Sequence, residues 1–187
     1  MARNITKFEK VTFDQYFNDM KEVTKNSLGM SGMSIDFKKK LFKARYDDIK
    51  LPKRATLESA GYDFFAPVLI NLKPNDHIII PTGIRCKMNP GRVLMLYPRS
   101  GHGFKTGVSL SNTVGIIDAD YYFSKNEGHI MVKLENNSPI NKTLTIQPGE
   151  AFCQGVFVKY FTTCNDYKSN HKVRKGGFGS TDNKERN

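Results

Sequence analysis

The chain has 187 residues, 39% of them hydrophobic, and a formal net charge of +11; this fits one domain plus an appendage, and its positive excess favours an anionic partner, nucleic acid or a small phosphate ester. Cys86, Cys153 and Cys164 are odd in number, far apart and without a C-x-x-C pair, so a disulfide framework is excluded and they read as reduced cytoplasmic thiols filling the core. The opening "MARNITKFEK" has no apolar h-region and the longest aliphatic run is "HIII" at 77–80, so neither a secretory leader nor a membrane span is expected.

Along the chain, "TFDQYFNDMKEV" sets Phe13, Tyr16, Phe17, Met20 and Val23 at helical spacing, and Thr12 followed by Gln15 makes a capping-box start. One amphipathic helix is predicted there, followed by "KNSLGMSGMSIDF" as a connector. The basic runs "FKKKLFKAR" (37–45) and "KLPKR" (50–54) read first as a solvated face. From Tyr46 onward the texture is short β-branched or alternating runs: "VLINL", "HIIIPTGIRCKM", "RVLMLYP", "HIMVKLEN", "TLTI" and "AFCQGVFVKYF". They are broken by "KPND", "NPG", "SPIN" and "QPGE", where Pro fixes φ and Gly or Asn supplies turn geometry. No helix is expected after Tyr46, so the fold class is all-β, a sandwich, barrel or jelly roll. The chain divides into an N-terminal extension (1–45), a β core (46–168) and a C-terminal arm (169–187).

Three places could carry chemistry. In "PRSG", Pro98 stiffens the turn, Arg99 offers a fork of donors, Ser100 adds a hydroxyl and Gly101 lets backbone N–H groups approach an oxyanion. "GHGFKT" fails the Walker A spacing. In "GIIDADYY", Asp118 and Asp120 stand beside apolar and aromatic residues; either could act as a base toward water if partly desolvated, or could cap its own turn. The tail "GGFGST" joins one aromatic to flexible hinges and two hydroxyls, a composition suited to closing over a flat ring. His77, His102, His129 and His171 show no metal-ligand spacing, and no G-x-S-x-G nucleophile elbow occurs.

Together, "SAGYDF", "PRSGHGFKTG", "NTVGIIDADY", "QPGEAFCQG" and "RKGGFGST" follow one another from Ser59 to Thr181. In this order they strongly resemble the five motifs of the trimeric dUTP diphosphatase (dUTPase) family, in its Gram-positive bacterial or phage-borne branch. The resemblance implies a jelly-roll β-barrel with an extra N-terminal helix and a flexible C-terminal arm, a homotrimer with shared active sites, and hydrolysis of dUTP to dUMP and pyrophosphate. That activity keeps uracil out of DNA and supplies dUMP for thymidylate synthesis. It also implies Mg²⁺, held mainly by the substrate phosphates with no direct protein ligand.

Residue by residue, the resemblance makes Asp118 the catalytic base for the water that attacks the α-phosphorus. It places Tyr121 on the deoxyribose face, Asn112 at the start of the uracil-reading hairpin, and Gly115 and Ile117 along that hairpin. Arg99, Ser100, Gly101 and Gln154 become phosphate contacts, and Asp63 a buried support for the phosphate end. In the arm, Phe178 would stack over uracil while Arg174, Ser180 and Thr181 meet the terminal phosphate. Three features depart from the family pattern: an insertion at 122–127 in "YFSKNEG", a fifth motif one residue short before Phe178, and the N-terminal extension itself.

Two alternatives compete. The related dCTP deaminases need a catalytic glutamate three positions before an asparagine, where this chain has Leu134 or Lys133. A regulatory or nucleic-acid-binding protein on the same fold would use the basic runs, but it would have no chemical reason to keep a complete catalytic set. Nucleic acid is therefore not an expected partner, and residues 1–40 are expected to dock on the trimer or another protein.

Overall fold

The computed structural model describes residues 5–26, 32–101, 103, 107–138 and 141–166. Its strands follow the period-two pattern that a half-buried pleated sheet requires. In β5 (His77–Pro81) Ile78 and Ile80 point inward while His77 and Ile79 face out. In β10 (Met131–Asn136) Val132, Leu134 and Asn136 are buried and Lys133 is exposed. The remaining strands are β1 (Lys7–Lys10), β2 (Lys53–Arg54), β3 (Tyr62–Phe65), β4 (Ile70–Leu72), β6 (Ile84–Lys87), β7 (Arg92–Pro98), β8 (Val108–Leu110), β9 (Gly115–Ile117), β11 (Leu144–Ile146) and β12 (Ala151–Lys159).

All strand pairings are antiparallel. The largest sheet runs β2-β3-β12-β7-β9, and the others are β5-β10-β8, β11-β4 and β1-β6. Their inner faces share one core that includes Phe64, Ile80, Leu94, Leu96, Ile130 and Phe152. This is the expected all-β jelly-roll architecture. None of the described helices is long and apolar enough to cross a membrane.

The N-terminal segment is more elaborate than one helix and a connector. Helix α1 (Phe13–Asn26) occupies the expected span, but a second helix, α2 (Ile35–Asp47), incorporates the end of the connector and the whole basic run 37–45. Ser34 caps α2 by accepting the Phe37 N–H at 3.3 Å, with Asp36 in the first turn and Arg45 in the last, as the helix dipole favours. Phe42 alone is fully buried on α2, so the run shows no apolar stripe that sequence periodicity could detect. Val11, Tyr16, Met20 and Phe42 form a second core, joined to the first through Ile49.

The described residues up to 45 are therefore wound into the fold rather than appended to it. The 45/46 boundary falls inside α2, β1 pairs with β6, and the Phe8 ring packs on Tyr62, Phe64 and Phe157 at 5.4, 5.5 and 5.6 Å between centroids. Two further departures concern local structure. Residues Ala119–Phe123 form a 3₁₀ helix, and a helical turn follows Arg99, whose carbonyl accepts the Gly103 N–H at 2.9 Å. Cys86 and Cys153 fill the core as expected, whereas Cys164 is exposed. Burial pushes the Cys86 thiol up to about 12 and raises that of Cys153 as well, which leaves both inert.

β1 is also held electrostatically. Glu9 accepts from Lys7 at 2.8 Å and from the Tyr122 hydroxyl at 2.6 Å. These two bonds, that of Lys7 first, hold its carboxyl below the ordinary glutamate range. A depressed folded-state value gives stability that is present above the unfolded value and lost as pH falls through the folded one. Glu9→Gln should therefore lower the melting temperature at neutral pH, and the difference from wild type should shrink as pH drops below about 4. Thermal melts across pH check this; a difference that persists undiminished at low pH would contradict it.

Candidate active site

At one end of the large sheet, three strands bring polar side chains into register. Asp63 on β3 lies opposite Gln154 on β12, which in turn lies opposite Tyr97 on β7. Just past β7, the Arg99 Nε sits 3.3 Å from Asp63 Oδ1 and its Nη1 donates to the Ala151 carbonyl at 3.5 Å. Asp63 is largely covered, yet Arg99 keeps 42% of its side chain exposed, so the guanidinium is oriented from behind and open in front. Ser100 and Gly101 are exposed at the start of the helical turn, where the first backbone N–H groups lack helical acceptors. Together these groups form a surface that attracts anions.

Gln154 owes its place to a glycine. A Cβ at Gly61 would lie 2.6 Å from Gln154 Oε1, so only a residue without a side chain lets the amide lie against β3. Nothing in "SAGYDF" itself marks Gly61 for this contact, since Gln154 lies far along the chain.

The hairpin β8–β9 forms a second cluster. Its tip is closed by Thr113 N–H to the Leu110 carbonyl at 2.9 Å and Val114 N–H to the Asn112 carbonyl at 2.6 Å. Thr113 holds φ at 62°, a left-handed conformation that is strained for a β-branched residue and recurs at ligand-binding turns. Asn112, Gly115 and Ile117 border one cavity of about 520 Å³, within the usual range for small-molecule sites. The facing wall is α1, through Asp19, Glu22 and Val23. Val23 belonged to the apolar stripe that predicted the helix, but nothing in the sequence tied that stripe to the hairpin.

Asp118 follows β9 directly and occupies the N-cap of the 3₁₀ helix, with its side chain exposed. The apolar surroundings expected for a base are thus not supplied by its own chain. Asp120 is exposed on the same turn. Tyr121, expected on a sugar face, is only 3% exposed; its hydroxyl donates to the His129 carbonyl at 2.8 Å and accepts from Asn126 Nδ2 at 2.8 Å. Its backbone N–H donates to the Asp118 carbonyl at 3.2 Å.

Strand register separates these groups. Ile117 pairs with Leu94, so Asp118 stands level with Val93, and Arg99 lies six residues further along β7. At a strand rise of about 3.3 Å per residue this is a separation of roughly 20 Å. One chain therefore gathers Arg99, Asp63 and Gln154 at one end of β7 and leaves Asp118 at the other. Arg174, Phe178, Ser180 and Thr181 lie outside the described residues. Among the described residues, no group of three or more His, Cys, Asp or Glu side chains could hold a metal ion.

Comparisons with known proteins place the chain beside one family. The dUTPase family model matches residues 47–182. The deoxyuridine 5'-triphosphate nucleotidohydrolase of Lactococcus lactis is 40% identical over 134 residues, 71% of this chain and 88% of the relative. The crystal structure of dUTPase from Streptococcus mutans superposes with a TM-score of 0.55 at 38% identity, covering 60% of this chain and 88% of that one. A dUTPase mutant from phage phi11 of S. aureus, which coordinates a structural Mg(II) ion, shares the fold at 24% identity and a TM-score of 0.53, covering 63% and 88%.

Gly61→Ala tests the anion-facing cluster. It should displace the Gln154 amide and weaken triphosphate binding roughly tenfold, the size of one lost hydrogen bond to a charged group, with little change in melting temperature. Calorimetric titration with a non-hydrolysable nucleotide measures it, and wild-type affinity would show that Gln154 does not contact the ligand.

Proposed function

The chain belongs to the dUTPase family, and on that premise we propose that it hydrolyses dUTP to dUMP and pyrophosphate with Asp118 as the base. The observation that carries the assignment of roles is the division of polar groups between the two ends of β7, one suited to phosphates and one offering a carboxylate. The cavity beside Asn112, Gly115 and Ile117 receives uracil, whose polar edge meets the backbone of the hairpin. Deoxyribose lies toward Tyr121, and the triphosphate runs to the fork of Arg99, the Gln154 amide and the backbone of Ser100 and Gly101. Water placed between Asp118 and the α-phosphorus loses a proton to the carboxylate as its oxygen attacks; the bond to the β-phosphate oxygen breaks and pyrophosphate leaves. Asp63 keeps Arg99 aimed at the charge that shifts onto the leaving oxygens. Phe178 closes over the base, with Arg174, Ser180 and Thr181 at the terminal phosphate.

Because Asp118 and Arg99 are separated by roughly 20 Å in one chain, both can serve the same triphosphate only if they come from different copies. A homotrimer with shared sites meets that need. Outward apolar residues away from the cavity offer it a contact surface, among them Val158, 37% exposed. Packing against another copy also supplies Asp118 with the apolar cover that its own chain lacks. The donor chemistry suits a Mg²⁺ that arrives on the nucleotide, since Asp63 is engaged by Arg99 and this ion keeps much of its water while binding phosphate oxygens. When bound, the ion offsets triphosphate charge. A cytoplasmic setting suits the three free thiols.

The deaminase alternative finds no carboxylate where it needs one: Leu134 is buried and Lys133 is exposed on β10. Purified protein should release pyrophosphate from dUTP, lose that activity with EDTA, and release no ammonia from dCTP. Asp118→Asn should lower kcat by about 10²- to 10⁴-fold while a non-hydrolysable dUTP analogue still binds. Near-normal turnover in that variant, or ammonia from dCTP, would overturn the proposal.

A further inference from the structure

The two segments that depart from the family pattern, the N-terminal extension and the insertion at 122–127, bind each other. Glu127 spans the start of α1, accepting the Thr12 backbone N–H at 2.8 Å and the Thr12 hydroxyl at 2.6 Å. It thus takes the place of Gln15, whose side chain instead donates to Asp19 Oδ2 at 2.7 Å. Glu127 adopts φ 58° to do so. Tyr122 donates to Glu9 on β1 at 2.6 Å, and Arg85 lies over the Tyr122 ring at 4.0 Å and bonds its hydroxyl. Ser124 and Asn126 turn the other way, to the carbonyl and hydroxyl of Tyr121.

At the centre of this contact sits His129, 0% exposed. Its Nε2 accepts the Gly83 backbone N–H at 2.7 Å, which leaves Nδ1 as the donor to Asp19 Oδ2 at 2.6 Å. Its carbonyl accepts the Tyr121 hydroxyl at 2.8 Å, and Tyr121 N–H closes the turn onto the Asp118 carbonyl at 3.2 Å. A continuous chain of hydrogen bonds therefore runs from α1 to the backbone that carries Asp118. We propose that Asp19 and His129 are positioning residues for Asp118: α1, through the Asp19–His129 contact, fixes the 3₁₀ turn from which the carboxylate projects. The inference rests on Asp118 being the base. It gives the N-terminal extension and the insertion one shared role, since each holds a different side of the same turn.

Steady-state kinetics on the full-length protein test it. Asp19→Ala should lower kcat roughly tenfold, over and above any change in KM from its place in the cavity wall, because small misplacements of a reacting group act on turnover. Asp19→Asn should restore kcat to within about twofold, since its amide oxygen still accepts the Nδ1 proton. A purely structural role would shift the melting temperature while leaving kcat alone; that result, or a change in KM only, overturns the proposal. Should Asp19→Ala fail to fold, ¹⁵N NMR of wild-type His129 remains decisive: the proton must be on Nδ1 and the lone pair on Nε2, and the opposite tautomer refutes the chain of bonds. Full turnover in Asp118→Asn would sink the base assignment itself, whereas an inactive Asp118→Asn beside a wild-type kcat in Asp19→Ala sinks only the positioning role.

Discussion

The antiparallel pairing of β7 with its two neighbours governs what this molecule can do. On one side β12 carries Gln154 to the level of Tyr97 and so joins the Arg99–Asp63 pair to a third polar group. On the other side β9 runs back along β7 and delivers Asp118 to the opposite end. A strand is stiff and its register cannot slip by one residue without turning its buried face outward. The separation between the two clusters is thus fixed by the same burial of Leu94 and Leu96 that stabilises the core. Action on one triphosphate by both clusters and a stable single-chain fold would place conflicting demands on β7, which the proposed association between copies would resolve.

The second constraint lies at the Asp118 end. Asp118 is exposed at the start of a short 3₁₀ turn, so its position depends on what anchors that turn. The neighbouring Tyr121 is anchored through the His129 carbonyl, and His129 through Gly83 and Asp19. Each bond in that path is buried or partly buried, where an unpaired polar group would be costly, so the path is fully formed or strongly disfavoured. The N-terminal segment thereby joins the core by two routes of different kinds. Phe8 packs among aromatic rings, and Asp19 and Thr12 make polar contacts that specify geometry.

Much of the fold was legible in the sequence because β5, β7, β10 and β12 alternate or run apolar for long enough to stand out. β8 and β9 have only three residues each, too short for periodicity, and they were visible only as part of a motif. α2 was hidden because a single buried side chain, Phe42, anchors an otherwise lysine-rich helix. The candidate site is carried in the sequence by five motifs, each a run of adjacent residues, the fifth outside the described residues. What adjacency cannot reveal is contact across the chain: Gly61 beneath Gln154, Asp19 against His129, and Glu127 capping a helix more than a hundred residues earlier. His129 illustrates the limit well: its sequence neighbours show no metal-ligand spacing, and its partners are a backbone N–H and a helix carboxylate distant in the chain.

The central claim, that each site is completed by groups from two copies of the chain, is tested most directly by subunit mixing. Asp118→Asn and Arg99→Ala proteins, each nearly inactive alone, are unfolded together, refolded and assayed for pyrophosphate release from dUTP. Random reassembly into closed rings of three should pair an intact Asp118 with an intact Arg99 in about a quarter of the sites, and activity should return in that proportion. A mixture no more active than its two components would mean that both groups act from the same chain.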